Sequence, residues 1–276
     1  MRPADVAAAE AVARRALFRG DAPETDAVVA ARGVRRVAHL LGTDPGGAWV
    51  AAAGEEIVGM ALGLVREGIW GLSLFAVADE HRDRGVGREL LEACFAHGAD
   101  ARGHIILSSE HPGAMRRYAR LGLDLHPCVA VAGIVDRARL PAADGVRVAG
   151  PEGVAVADAI GRAVRGAGHG VDLPVLLDDA DARLLLVADR AFAVIRGPRI
   201  MMVAGRDDDA ATRVLTGALA ATPPGATVSL DFLTAGQDWA VRACLDAGLA
   251  LSPDGPLFVR GDLGPMRPYV PSGAYL

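Results

Sequence analysis

The chain has 276 residues, 51% of them apolar, and a formal net charge of -5. That length holds one large domain or two ordinary ones, each with a core of its own, and the mildly acidic balance argues against nonspecific nucleic-acid binding. No apolar run approaches the roughly 18–20 residues of a membrane span, and the opening stretch carries Asp5 and Glu10 in an amphipathic pattern unlike a signal peptide, so a cytoplasmic protein is expected.

Helical periodicity covers residues 3–17 and 26–41. Strands are expected at 48–53, 57–66 and 69–78, the last with Leu72, Leu74, Ala76 and Ala78 alternating with Ser73, Phe75 and Val77. The run "HRDRGVGRELLEACF" then places Arg82, Arg84 and Arg88 around Gly85 and Gly87, and enters a helix near Val86 with Leu90, Leu91, Cys94 and Phe95 at helical spacing. A helix N-terminus leaves amide hydrogens without internal partners and carries positive potential, so a glycine turn feeding one suits an anion. A tight turn with solvated arginines is the plainer reading of the same residues. A P-loop needs Gly-Lys followed by Ser or Thr, and a dinucleotide fingerprint needs a third glycine where Leu90 stands. Neither fits. Residues 105–107 read as a further strand, and a helix follows with Ala114 and Tyr118 before Gly122-Leu123.

The six residues Arg82, Asp83, Arg84, Gly85, Val86 and Gly87 resemble the coenzyme loop of the GCN5-related N-acetyltransferases (GNAT), patterned Gln/Arg-x-x-Gly-x-Gly/Ala. The helix with Ala114, Tyr118, Gly122 and Leu123 is similar to that family's Asn-x-x-Ala-x-x-x-Tyr-x-x-x-Gly-Phe, with His111 in place of Asn and Leu123 in place of Phe. The resemblance implies an acetyl-CoA cosubstrate. The loop, with Arg88, would take its pyrophosphate, and the backbone of Phe75, Ala76 and Val77 would pair with its pantetheine arm.

The second half repeats the order of elements. A strand at 145–150, a helix at 154–164, strands at 184–188, 191–195 and 199–204, a loop and a helix lead to "VSLDFLTAGQDWAVRACLDAGLAL". There Ala240 stands at the place of Ala114, Cys244 at that of Tyr118, and Gly248-Leu249 at that of Gly122-Leu123. Asp207, Asp208 and Asp209 replace the glycine pair and would repel a pyrophosphate; one as a helix cap with the others solvated is a plainer use of them than a metal site, and no metal is expected. The resemblance therefore implies an α/β (α+β) chain of two tandem GNAT folds, each a mixed, mostly antiparallel sheet flanked by helices. Residues 1–139 form the catalytic copy and 140–276 a degenerate one.

Acetyl transfer needs a neutral amine, a proton acceptor and a group to meet the departing thiolate. Tyr118 is the candidate acid, as the resemblance places the matching tyrosine near the coenzyme sulfur; an aromatic packed on the sheet is its alternative. Glu110, His111 and Glu80, on or near loops at the strand ends, are candidate acceptors acting through water, since the acid some family members carry on the fourth strand is Ser73 here. The apolar stretch 266–276 should pack as a terminal strand or dimer contact, or bring the carboxylate of Leu276 to the site. Cys94, Cys128 and Cys244 have no metal or redox spacing and read as buried thiols. The expected activity is N-acetylation of a primary amine on a small molecule, for example an amino sugar or antibiotic. A protein N-acetyltransferase and a non-catalytic acyl-CoA sensor are the alternatives, and a homodimer is a further expectation.

Overall fold

The computed structural model describes residues 1–17 and 27–276. By their contacts these residues divide into two units, Met1–Ile105 together with Leu276, and Ile106–Tyr275.

In the first unit a 3-10 turn at Pro3–Asp5 leads into α1 (Val6–Leu17), which buries Val6, Ala9, Val12 and Ala13 along one face. The second helix, α2 (Ala27–Thr43), buries Val37 and Leu40; its expected first residue, Asp26, lies outside the described residues. Three strands follow as an antiparallel meander: β1 (Ala48–Ala53), β2 (Glu56–Arg66) and β3 (Ile69–Val77). The β2–β3 turn places Glu67 and Gly68 at φ 47° and 81°. Positive φ at both central positions matches the twist of a hairpin. After α3 (Val86–Ala96), β4 (Gly103–Leu107) starts beside the start of β3, its Gly103 amide and that of Arg102 donating to Gly68 O. The chain passes into the second unit within β4.

A buried ion pair fixes the entry to the meander. Arg66 Nη1 lies 2.7 Å from Asp44 Oδ2, and the Val65 amide donates to Asp44 Oδ1 at 2.8 Å. Burial pushes the Asp44 carboxyl up, but hydrogen bonds from Thr43, the Val65 amide and Arg66 outweigh it, so its pKa falls below the ordinary value.

The second unit contains α4 (Pro112–Arg120), β5 (Asp124–Ile134), β6 (Val146–Ala149), α5 (Gly153–Arg165), the short α6 (Leu173–Leu176), β7 (Ala182–Val187), β8 (Ala191–Arg196) and β9 (Arg199–Gly205). It continues with α7 (Asp208–Ala221), β10 (Thr227–Thr234), α8 (Asp238–Asp246), β11 (Ala250–Gly261) and β12 (Tyr269–Val270). Its strands run in the order β11-β5-β10-β9-β8-β7-β6, antiparallel except that β9 and β10 are parallel. Ala210, Ala211, Val214, Leu215, Ala218 and Leu219 of α7 pack into the core against Leu185, Ala193 and Val203 of the sheet. The architecture is a mixed α/β fold whose mostly antiparallel sheet is flanked by helices.

β5 lies between β10 and β11, with Val131 paired to Leu230 on one side and Leu251 on the other. Both neighbours come from the second half of the sequence. All three cysteines are buried. Burial pushes their thiols up, Cys128 to about 11 and Cys244 to about 12, as inert core groups require.

Candidate active site

The alternation expected along 69–78 is broken once. Leu74 pairs with Leu62 but Leu72 with Gly63, so Ser73 is an extra residue in β3. A bulge bends its strand and re-aims the residues beyond it. Here it leaves Leu74 and Phe75 half-buried while Leu72 and Ser73 are buried. Arg36 of α2 holds the bulge, its Nε donating to Ser73 Oγ at 3.0 Å and its Nη2 to Ser73 O. Past Leu74, Phe75, Ala76 and Val77 pair with Ala61, Met60 and Gly59 of β2.

The glycine turn comes directly after this strand. Asp83 has φ 58° and Gly85 φ 88°, two left-handed residues that swing the chain into α3 at Val86. Among the described residues the first amides satisfied at this end are those of Arg88 and Glu89, both donating to Gly85 O, so the amides of Val86 and Gly87 face the turn. Gly87 is buried, which brings backbone rather than side chain to that point. The three arginines do different work. Arg82 turns inward, its Nε donating to Val77 O at 3.3 Å and its Nη2 lying 2.7 Å from Asp79. Arg84 and Arg88 stay exposed, with Arg88 loosely paired to Glu92 at 3.9 Å. The turn thus combines open amides, a helix N-terminus and two exposed guanidinium groups, a fit to a diphosphate.

Glu110, His111 and Tyr118 fall in the second unit. His111 is the N-cap of α4, its Nδ1 accepting from the Gly113 amide at 3.2 Å. An imidazole nitrogen here does what an asparagine oxygen does at an ordinary N-cap. Glu110 is exposed. Tyr118 is buried, its ring edge-on to Phe258 with centroids 5.5 Å apart. Of the other acids in this unit, Asp254 is half-buried and carries no motif that would single it out. It accepts from the Phe232 amide at 2.9 Å and from the Gly255 amide at 2.7 Å, and so holds irregular turns of β10 and β11. Burial is the main reason its carboxyl is raised above the ordinary value, with Asp231 and Glu110 adding to it.

The second unit has its own strand, turn and helix at 199–221. Asp207 caps α7, its Oδ1 accepting from the Ala210 amide at 2.9 Å. Arg190 bonds Asp207, Arg267 lies 2.8 Å from Asp208, and Arg213 lies 2.7 Å from Asp209. Hydrogen bonds from the Ala210 amide and Arg190 draw the Asp207 carboxyl below its ordinary pKa. The helices α4 and α8 end alike: Gly122 and Gly248 have φ 77° and 90°, and the amides of Leu123 and Leu249 reach back to Tyr118 O and Cys244 O at 3.4 and 3.0 Å. These are glycine-terminated helix ends with the same bond pattern.

A bulged strand feeding a glycine turn and a helix N-terminus, on a mostly antiparallel sheet flanked by helices, is the setting of this site. Residues 14–123 match the model of the acetyltransferase (GNAT) family. Over its full length the fold is similar to that of a Pyrococcus horikoshii protein assigned as an acetyltransferase, at 14% identity and a TM-score of 0.80, covering 100% of this chain and 94% of that one. It is also similar to GCN5-related N-acetyltransferases from Sphaerobacter thermophilus (18% identity, TM-score 0.57, 99% and 96% covered) and Kribbella flavida (18%, 0.62, 95% and 70%). No curated protein matches the chain. No helix among the described residues is long and apolar enough to cross a membrane.

Proposed function

We propose that the chain is an acetyl-CoA-dependent N-acetyltransferase acting on the primary amine of a small molecule, with a catalytic copy of the fold at residues 1–139 and a degenerate copy at 140–276. The observation that carries this reading is the turn at Gly85, where the Val86 and Gly87 amides stay open beside a buried glycine. In this reading the two amides and the guanidinium groups of Arg84 and Arg88 take the coenzyme's pyrophosphate. Arg82 contributes indirectly, by fixing the carbonyl of Val77 and the turn after it. The backbone of Phe75, Ala76 and Val77, just past the Ser73 bulge, pairs with the pantetheine amides.

Bound acetyl-CoA supplies an activated thioester carbonyl. The chain's own residues handle the protons. Glu110, through water, accepts the proton the amine loses; His111 is the second acceptor, and its Nδ1 takes a proton only by giving up the Gly113 amide, since the capping tautomer carries its hydrogen on Nε2. Tyr118 gives its phenolic proton to the departing thiolate and is reprotonated from solvent. The test is Gly87→Glu, which adds bulk and a negative charge where the pyrophosphate approaches. Acetyl-CoA affinity of the folded variant measured by calorimetry should fall by on the order of 10²-fold; unaltered affinity rejects the assignment.

A further inference from the structure

Strands β9 and β10 start side by side and then part. They are parallel, and the one paired position is Arg199 with Ser229, at their beginnings. At their far ends a third segment lies against them. β12 pairs antiparallel with β9, Tyr269 opposite Ala204 and Val270 opposite Val203, and it also touches β10. A strand seated there needs the two to be about 10 Å apart, roughly twice the usual strand spacing. The cleft opens toward the strand ends that face the turn into α7.

Several bonds along this cleft go to segment 266–272. The Gly205 amide donates to Pro268 O at 3.2 Å. Gln237, buried just after β10, donates through Nε2 to Met266 O at 2.8 Å and accepts the Tyr269 amide on Oε1 at 3.1 Å. Trp239 Nε1 donates to the same Oε1 at 2.8 Å and fixes the amide's orientation. At the α7 end, Arg267 reaches Asp208. Residues 268–272 are buried without interruption, and Tyr269 OH lies 3.3 Å from His169 Nε2. Gln237 stands three residues before Ala240, as His111 stands three before Ala114.

We propose that the cleft between β9 and β10 is a groove for an extended amide chain, and that residues 266–272 fill it where a pantetheine arm would lie. The inference rests on the tandem reading above. Pantetheine is an extended chain carrying two amides; a peptide strand presents the same donors and acceptors and satisfies the edge of β9 by strand addition. The degenerate copy has therefore exchanged an external ligand for an internal one. Arg267 and Asp208 form an ion pair where pyrophosphate would otherwise sit, and the closed groove holds the segment that leads to the buried Tyr275.

Hydrogen exchange on the full chain, with coenzyme A as the probe, tests this. In the parent the amides of Tyr269 and Gly205 should exchange as slowly as those of β8, and added coenzyme A should slow exchange at 75–77 and 85–88 while leaving 203–205 and 268–272 unchanged. Gln237→Ala should speed exchange at 268–272 by about tenfold or more and leave 75–77 as it was. Fast exchange of Tyr269 in the parent, no change in Gln237→Ala, or coenzyme A protecting 203–205 while releasing 268–272 would each overturn the proposal. Should Gln237→Ala not fold, the parent measurements decide alone. Absence of protection at 75–77 overturns the acetyltransferase reading instead, and the exchange of 268–272 still decides the groove.

Discussion

Residues 82–88 and 205–211 occupy the same place between a strand and a helix and use it in opposite ways. In the first, Gly85 in the left-handed region and buried Gly87 keep side chains away, and the Val86 and Gly87 amides stay open. In the second, Asp207 spends its own carboxylate on the Ala210 amide, and Arg190, Arg267 and Arg213 each meet one aspartate. A helix N-terminus attracts negative charge in either case. What differs is that the second turn meets its amide with its own carboxylate while the first leaves its amides open, and glycine against aspartate decides that.

The sharpest way to break this comparison is at the paired positions Tyr118 and Cys244. Tyr118→Phe keeps the ring against Phe258, so the melting temperature should hold, while kcat falls on the order of 10²–10⁴-fold with acetyl-CoA affinity nearly unchanged. Cys244→Ala should leave kcat within about twofold, because the thiol is buried in a core and pushed to about 12. Equal kcat losses in the two variants would erase the functional asymmetry. If instead Tyr118→Phe lowers stability at normal kcat, the tyrosine is a packing residue.

Stoichiometry comes next in size. Calorimetric titration should give one coenzyme A per chain, and Asp207→Gly should not create a second site, since Asp208, Asp209 and segment 266–272 remain in the way. Two equivalent sites in the parent would show that both turns accept an external anion.

The smallest effects concern stability. Asp207→Ala removes a helix cap and should cost about 1 kcal/mol in urea unfolding at neutral pH. Because the folded-state pKa of Asp207 is lowered, its contribution is present above the ordinary carboxylate range near 4 and is lost as pH falls through the folded value. The difference between parent and Asp207→Ala should therefore shrink on acidification. Asp254 has the opposite sign. Its raised folded-state pKa gives a contribution present below about 4 that disappears as pH rises through the folded value. Unfolding free energies from pH 3 to 7 on the parent and single variants separate the two; parallel curves would refute both assignments.

Much of the site was legible because its parts are local. The turn from Arg82 to Gly87 and the start of α3 at Val86 depend on neighbours within a few residues, and a glycine at positive φ is a local requirement. The cap by one of three aspartates is equally local. The bulge at Ser73 was not legible, since an alternating apolar run carries no mark of an extra residue; the bulge exists because β2 and Arg36 fix both sides of it. Nor did the sequence distinguish the three loop arginines. Only the path of the chain turns Arg82 back to Val77 O and leaves Arg84 and Arg88 in solvent.

By itself, then, the sequence determined the order of helices and strands, the glycine turn in one half and its loss in the other, because hydrophobic period and turn chemistry act over a few residues. Tertiary structure decided the partners. It set β5 between two strands of the second half, and it seated segment 266–272 on β9 beside Gln237. Strand pairing joins residues tens to more than a hundred positions apart through backbone groups that every residue carries. No local pattern encodes which edge a strand will choose; that depends on which edges the rest of the fold leaves unpaired and which apolar faces it can bury.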